Sequence, residues 1–152
     1  MGFTAGQRIK ALDFAGSSQF SEATAHLNIG TGGSFGSPNC SVTFTAPTSG
    51  AVVVTLGCMA QDDVQNNVVW LDFELRLNNS GGTVVVTTGP FERRLALPCP
   101  GAVGIVPNDS KMVTLTGLTP GQLYFLRTIH SANITGSADV FMRRIDTAPY
   151  FG

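Results

Sequence analysis

Between Val69 and Leu77 the chain alternates without a break: Val69, Leu71, Phe73, Leu75 and Leu77 are apolar, and Trp70, Asp72, Glu74 and Arg76 stand between them. A period of two is the repeat of a β-strand, so the first set shares one face and the second set the other. Further strand-sized segments begin near residue 40, at 40–45, 51–60, 83–88, 93–97, 102–106, 111–116, 122–131 and 138–146. Turn residues separate them, as in Ala46-Pro47-Thr48-Ser49-Gly50, Asn78-Asn79-Ser80-Gly81-Gly82 and Thr119-Pro120-Gly121. Short strands at this spacing, with no helical period between them, predict an all-β fold. The expected form is an antiparallel β-sandwich or jelly roll of about eight strands.

Residues 1–38 show no comparable pattern and are expected to form an extended N-terminal arm ahead of a sandwich domain over 39–152. Arg8 to Phe14 has the spacing of about two helical turns, and Gly30 to Gly36 is too rich in glycine to hold an element alone. Phe3, Ile9, Leu12, Phe14, Phe20, Leu27, Ile29 and Phe35 punctuate the arm. A pure linker carries fewer apolar residues, so these are expected to dock on a surface, with Phe3, Ile9, Leu12 and Phe14 as the anchors.

Several strands are apolar on both faces. Ala51 to Leu56 reads Ala-Val-Val-Val-Thr-Leu, and Leu123, Tyr124, Phe125 and Leu126 are consecutive. Near the end, Val140 and Met142 are expected to point one way, Phe141 and Ile145 the other. A sandwich covers one face of each sheet, so the second face calls for another subunit. A closed homotrimer is the expectation, with Trp70, Phe125, Phe141 and Tyr150 at the contact. Composition agrees: of 152 residues 43% are hydrophobic and only 12% charged, against about 25% charged in an average domain. Little repulsion opposes association.

A net charge of -1 supplies no general field for nucleic acid, and Arg93-Arg94 and Arg143-Arg144 read as solvated or interface charges. No apolar run reaches the roughly 20 residues that span a bilayer, so no membrane contact is expected. The start lacks a secretory pattern, so synthesis in the cytoplasm of the producing cell is expected. Cys40, Cys58 and Cys99 are odd in number and scattered, which argues against a disulfide framework or a zinc site. Cys40 and Cys58 fall in strands as small buried hydrophobes, whereas Pro98-Cys99-Pro100-Gly101 reads as a loop.

Residues capable of chemistry are sparse. His26 and His130 are the only histidines; His130 is expected as a polar strand-end or interface residue, since neighbouring Ser131 faces the opposite side. No nucleophile elbow, zinc-protease or phosphate-loop spacing occurs. Asp62-Asp63 lacks the spacing of a calcium loop. Asp72 and Glu74 share one strand face as a glycosidase pair would, but Arg76 beside them is the simpler counter-charge. No enzyme activity and no cofactor or metal are expected. Trp70 could stack on a sugar, which keeps a carbohydrate-binding module as an alternative. Leu118-Thr119-Pro120-Gly121-Gln122-Leu123-Tyr124 is similar to the tyrosine corner of fibronectin type III and immunoglobulin-like domains, which makes Tyr124 a structural residue.

Both ends of the chain carry a family resemblance. Phe3-Thr4-Ala5-Gly6-Gln7 followed by Lys10-Ala11-Leu12-Asp13-Phe14 resembles the start of small virion proteins of tailed bacteriophages infecting actinobacteria. Leu118-Thr119-Pro120-Gly121, Tyr124, Arg127, His130, Gly136-Ser137-Ala138-Asp139-Val140 and Arg143-Arg144-Ile145 resemble the last strand pair of such proteins. The resemblance covers about the first 14 and the last 35 residues. It implies an arm fastened to the virion, to the major capsid protein or another virion component, and a trimeric jelly roll facing outward on the virion surface. It offers no catalytic residue. A capsid decoration or head-fibre protein fits best, with a small tail-fibre or baseplate protein touching the host surface as the alternative.

Overall fold

The computed structural model describes residues 16–24, 27–29, 40–61, 67–87, 93–99, 101, 106–132 and 138–151. Among them are ten strands: β1 (Gln19–Ala23), β2 (Leu27–Ile29), β3 (Ser41–Thr45), β4 (Val52–Gln61), β5 (Asn67–Leu77), β6 (Val84–Val86), β7 (Leu95–Cys99), β8 (Asn108–Leu115), β9 (Leu123–Ala132) and β10 (Ala138–Pro149). They form two antiparallel sheets. Sheet A runs β1-β10-β4-β8, with β2 also on β10; sheet B runs β3-β9-β5, with β6 and β7 both on β5. The pairs β1–β10, β3–β9, β4–β8 and β5–β7 are nested, first with last. This is one long hairpin wound over itself, the jelly-roll arrangement expected from the turn spacing.

Alternation in the sequence becomes the two inner faces. Val52, Val54, Leu56, Cys58 and Ala60 of β4 meet Val69, Leu71, Phe73 and Leu75 of β5 across the sandwich, all buried in one core. Leu126 and Tyr124 of β9 and Phe44 of β3 join them, with the Phe44 and Tyr124 rings stacked at 5.7 Å between centroids. Cys40, Cys58 and Cys99 are buried thiols outside any disulfide. Cys99 is not in a loop: it ends β7 opposite Asn67. Burial pushes the Cys58 thiol up to about 12 and raises that of Cys40, which suits inert packing residues.

Two differences from the sequence expectation matter. Residues 19–23 and 27–29, read as part of the arm, pair with β10, and Ala23 enters the core. These strands are too short for their alternation to stand out. The second difference is a β-bulge in β10 between Val140 and Met142. Val140 faces Ala60 and Met142 faces Met59, so those two residues point to opposite faces, not the same one. The extra residue, Phe141, shifts the phase. Arg143, Ile145 and Thr147 turn inward and Arg144 and Asp146 outward as a result.

The corner before β9 is built as its motif suggests. The Tyr124 hydroxyl accepts a hydrogen bond from the Thr119 amide at 3.0 Å. Gly50 closes the facing turn with φ of 63°, and a Cβ there would lie 2.6 Å from the Leu118 carbonyl oxygen, so only glycine fits. Replacing Tyr124 by Phe keeps the stacked ring and orphans the Thr119 amide. A loss of about 1–2 kcal/mol in urea denaturation is expected, and an unchanged midpoint would remove the corner from the list of stabilising features.

Candidate functional site

The outer face of sheet B carries the densest polar chemistry among the described residues. Its central row is the polar half of the β5 alternation, and the register sets what each member meets. Trp70 lies opposite Ser131, Asp72 opposite Ile129, Glu74 opposite Arg127 and Arg76 opposite Phe125. Cross-strand neighbours on one face pair side chain to side chain. Accordingly Glu74 Oε1 accepts from Arg127 Nη2 at 2.9 Å and from Arg127 Nε at 3.1 Å, and from Arg76 Nε two positions along its own strand. Arg76 Nη1 also donates to the Gly82 carbonyl at 3.0 Å, which ties the hairpin turn to the face.

Asp72 has no cation directly opposite, so its partners come from outside the strand pair. Arg93 Nε and Arg94 Nε each lie 3.5 Å from its carboxylate. Asp72 Oδ1 accepts the Phe73 amide at 2.8 Å, and the Arg93 guanidinium lies 4.7 Å over the Phe73 ring. Arg93 also donates to the Thr87 carbonyl. Although they belong to an outward row, Asp72 and Glu74 are only 4% and 7% exposed, because the arginines lie over them. Burial would raise the Glu74 carboxyl, but the hydrogen bonds from Arg76 and Arg127 outweigh it and hold it below the usual range. A glycosidase acid needs the opposite shift. The network acts as a clamp joining β5, β9, the 78–83 turn and the edge beside β7.

The proposed contact residues do not form one patch. Trp70 and Phe125 share the outer face of sheet B, both half-buried. They lie at opposite ends of the charged row, six positions apart along the register, or about 20 Å. Phe141 is the bulge residue of β10, and Tyr150 follows the other end of that strand, its amide bonded to the Ala51 carbonyl. Phe3, Ile9, Leu12 and Phe14 lie outside the described residues, as do His26, Asp62-Asp63 and Gly30 to Gly36.

The largest exposed apolar side chains lie instead on the outer face of sheet A, where the sequence singled out only Phe20. Phe20 is 58% exposed, and the Arg144 guanidinium lies 4.8 Å over its ring while holding Asp146 at 2.8 Å. Met112 of β8, on the far edge of the same face, is 73% exposed. Its signal was available: Met112 alternates with Lys111 and Val113, and only the register against Thr55 shows which side is outward.

His130 is neither a strand-end residue nor an interface residue. It stands opposite Leu71 on the inner face, 1% exposed, with neither ring nitrogen hydrogen-bonded. Arg143, also 1% exposed, approaches from β10 because of the bulge. Burial first, and the Arg143 charge second, lower the His130 pKa to about 4, so it is neutral at pH 7. Without an acceptor or a nucleophile it is not placed as a catalytic base. No group of three His, Cys, Asp or Glu residues among those described is arranged to hold a metal ion.

No family model matches the chain, and no curated protein matches it. Among solved structures there are partial likenesses. A chain in the structure of the infectious bursal disease virus Gx strain is similar over 97% of this chain and 37% of its own length, at 12% identity and a TM-score of 0.44. The C-terminal CBM6 of LamC, a laminarinase from the marine organism Zobellia galactanivorans, is similar over 85% of this chain and 98% of its own, at 17% identity and a TM-score of 0.36. The enzymatically active domain of tailspike protein 4 of bacteriophage CBA120 is similar over 84% of this chain and 19% of its own, at 14% identity and a TM-score of 0.33. This chain thus spans well under half of the two viral chains.

Proposed function

We propose that the chain is a structural component of a phage particle, without catalytic activity, most simply a decoration protein on the outside of the capsid. The observation that carries this reading is the apolar surface left over once the sandwich is closed. Phe20 and Met112 on sheet A and Leu123 on sheet B are exposed on a chain with only 12% charged residues. Contact with other protein at each of these side chains would take apolar area out of water. The resemblance of both termini to small virion proteins supplies the setting. In this reading the segment before β1 fastens to the major capsid protein or another virion protein, and copies of the β domain associate around a three-fold axis. Burial at those contacts contributes about 25 cal/mol per Å² before the cost of association.

The strands β1 and β2 refine the test by truncation. Deleting residues 1–15 leaves every described strand in place and is expected to abolish binding to particles with no loss of thermal stability. Deleting residues 1–38 also strips β1 and β2 from β10 and is expected to lower the melting temperature markedly. Co-sedimentation with particles that lack this protein reads the first outcome and calorimetry the second. A 1–15 deletion that still coats particles refutes the anchoring role. Binding to tail tips instead of capsids would assign the protein to the fibre class, and retention on a glycan array without particle binding would favour a carbohydrate module using Trp70.

A further inference from the structure

We infer that a second copy of this chain pairs edge to edge with β8, about a two-fold axis through Ser110, so that sheet A continues from one copy into the other. This contact is additional to the particle attachment and the three-fold association proposed above, and it takes up Met112, which leaves Phe20 and Leu123 for those. An edge strand presents a row of unpaired N–H and C=O groups, and proteins blunt such edges by short length, proline, bulges or cover.

Three of the edges are blunted. β6 has three residues and β7 has five, with Pro98 among them. β3 has five residues, and the stretch 16–21 lies along its flank: the Cys40 thiol donates to the Ser21 carbonyl at 3.1 Å, and a Cβ on Gly16 would lie 3.3 Å from Thr45 Cβ. β1, also short, closes the same corner through the Thr147 hydroxyl, which donates to the Ser17 carbonyl at 2.7 Å. β8 differs. It runs eight residues without proline, and its register against β4 is unbroken from Asn108 to Leu115.

The sequence of β8 is self-complementary in one antiparallel register. With Ser110 facing its own copy, Asp109 faces Lys111 and Asn108 faces Met112. Asp109 and Lys111 lie on the same side of the strand, since both alternate with Ser110, so the two-fold creates two reciprocal ion pairs. Opposite charges directly across a strand pair stabilise it. Lys111 is already positioned by a bond from Nζ to the Arg94 carbonyl at 3.0 Å, and an ammonium has further donors for a second partner. Met112, the most exposed large apolar side chain among those described, comes to lie against the other copy. A register centred on Met112 overlaps more residues but brings the two Lys111 ammonium groups to diagonal positions, where they repel.

The full chain is examined by sedimentation velocity at micromolar concentration. The wild type is expected to contain an even number of copies. Lys111→Glu or Asp109→Lys alone is expected to halve the mass, and the two together to restore it, a pattern that a folding defect does not give. Ser110→Cys is expected to form an interchain disulfide on mild oxidation, because facing Cα atoms in an antiparallel pair are about 4.5–5.5 Å apart. That cross-link is independent of the charge variants should one of them fail to fold. A wild-type monomer, or a mass indifferent to the single reversals with no cross-link at position 110, overturns the inference.

Discussion

Between pH 6.5 and pH 4 the folded chain is expected to lose about 3 kcal/mol of stability through His130 alone. In the unfolded chain the imidazole takes up its proton near pH 6.5. In the core it resists until about pH 4, because burial and then the Arg143 charge oppose a second cation there. The unfolded state therefore binds more protons throughout this window, and acid favours it. The contribution is fully present above pH 6.5, falls by about 1.36 kcal/mol per unit through the window, and changes no further below pH 4. The measurement is urea denaturation of the wild type and His130→Leu at pH 7 and pH 4. Titration of the carboxylates, Glu74 included, is common to both proteins and cancels in their difference. That difference is expected to move by about 3 kcal/mol in favour of the leucine variant at the lower pH. Parallel curves would mean that His130 is charged or hydrated in the folded state.

Replacing Phe44 by alanine is expected to cost about 3–5 kcal/mol, the range for emptying a buried aromatic site. Phe44 is the fourth residue of β3, buried in the core and stacked on Tyr124. β3 is an edge strand of five residues, so its hold on sheet B depends on this side chain more than on its ladder. Collapse of the cavity would need movement of Tyr124, whose hydroxyl is pinned by the Thr119 amide, so little relief is expected. A Phe44→Leu variant should recover more than half of the loss. If alanine costs under 1 kcal/mol, the β3 corner is not part of the cooperative core.

The candidate surface was legible in the sequence only in part. The alternation of Trp70, Asp72, Glu74 and Arg76 placed them on one face, and the Glu74–Arg76 pair follows from their spacing. Arg127, Arg93 and Arg94 come from other strands and edges. No local pattern ties them to β5, so the burial of both carboxylates could not be read in advance. The exposure of Met112 and the dispersal of Trp70, Phe125, Phe141 and Tyr150 depend in the same way on register.

The all-β class, the positions of β3, β4, β5 and β9, and the Tyr124 corner come from local patterns. Period two, turn residues and the L-x-P-G-x-x-Y motif act over a few bonds, and tertiary packing has little to add to them. Long-range pairing settled the rest. β1 and β2 are strands because β10 offers them a partner, which five and three residues of ordinary composition do not announce. Most of all, the single extra residue at Phe141 reverses the phase of β10. One residue of slip carries every following side chain to the opposite face, and so Arg143 lies beside His130 in the core while Arg144 faces solvent. A bulge costs little locally and is selected by how the two sheets fit, which no window of sequence contains.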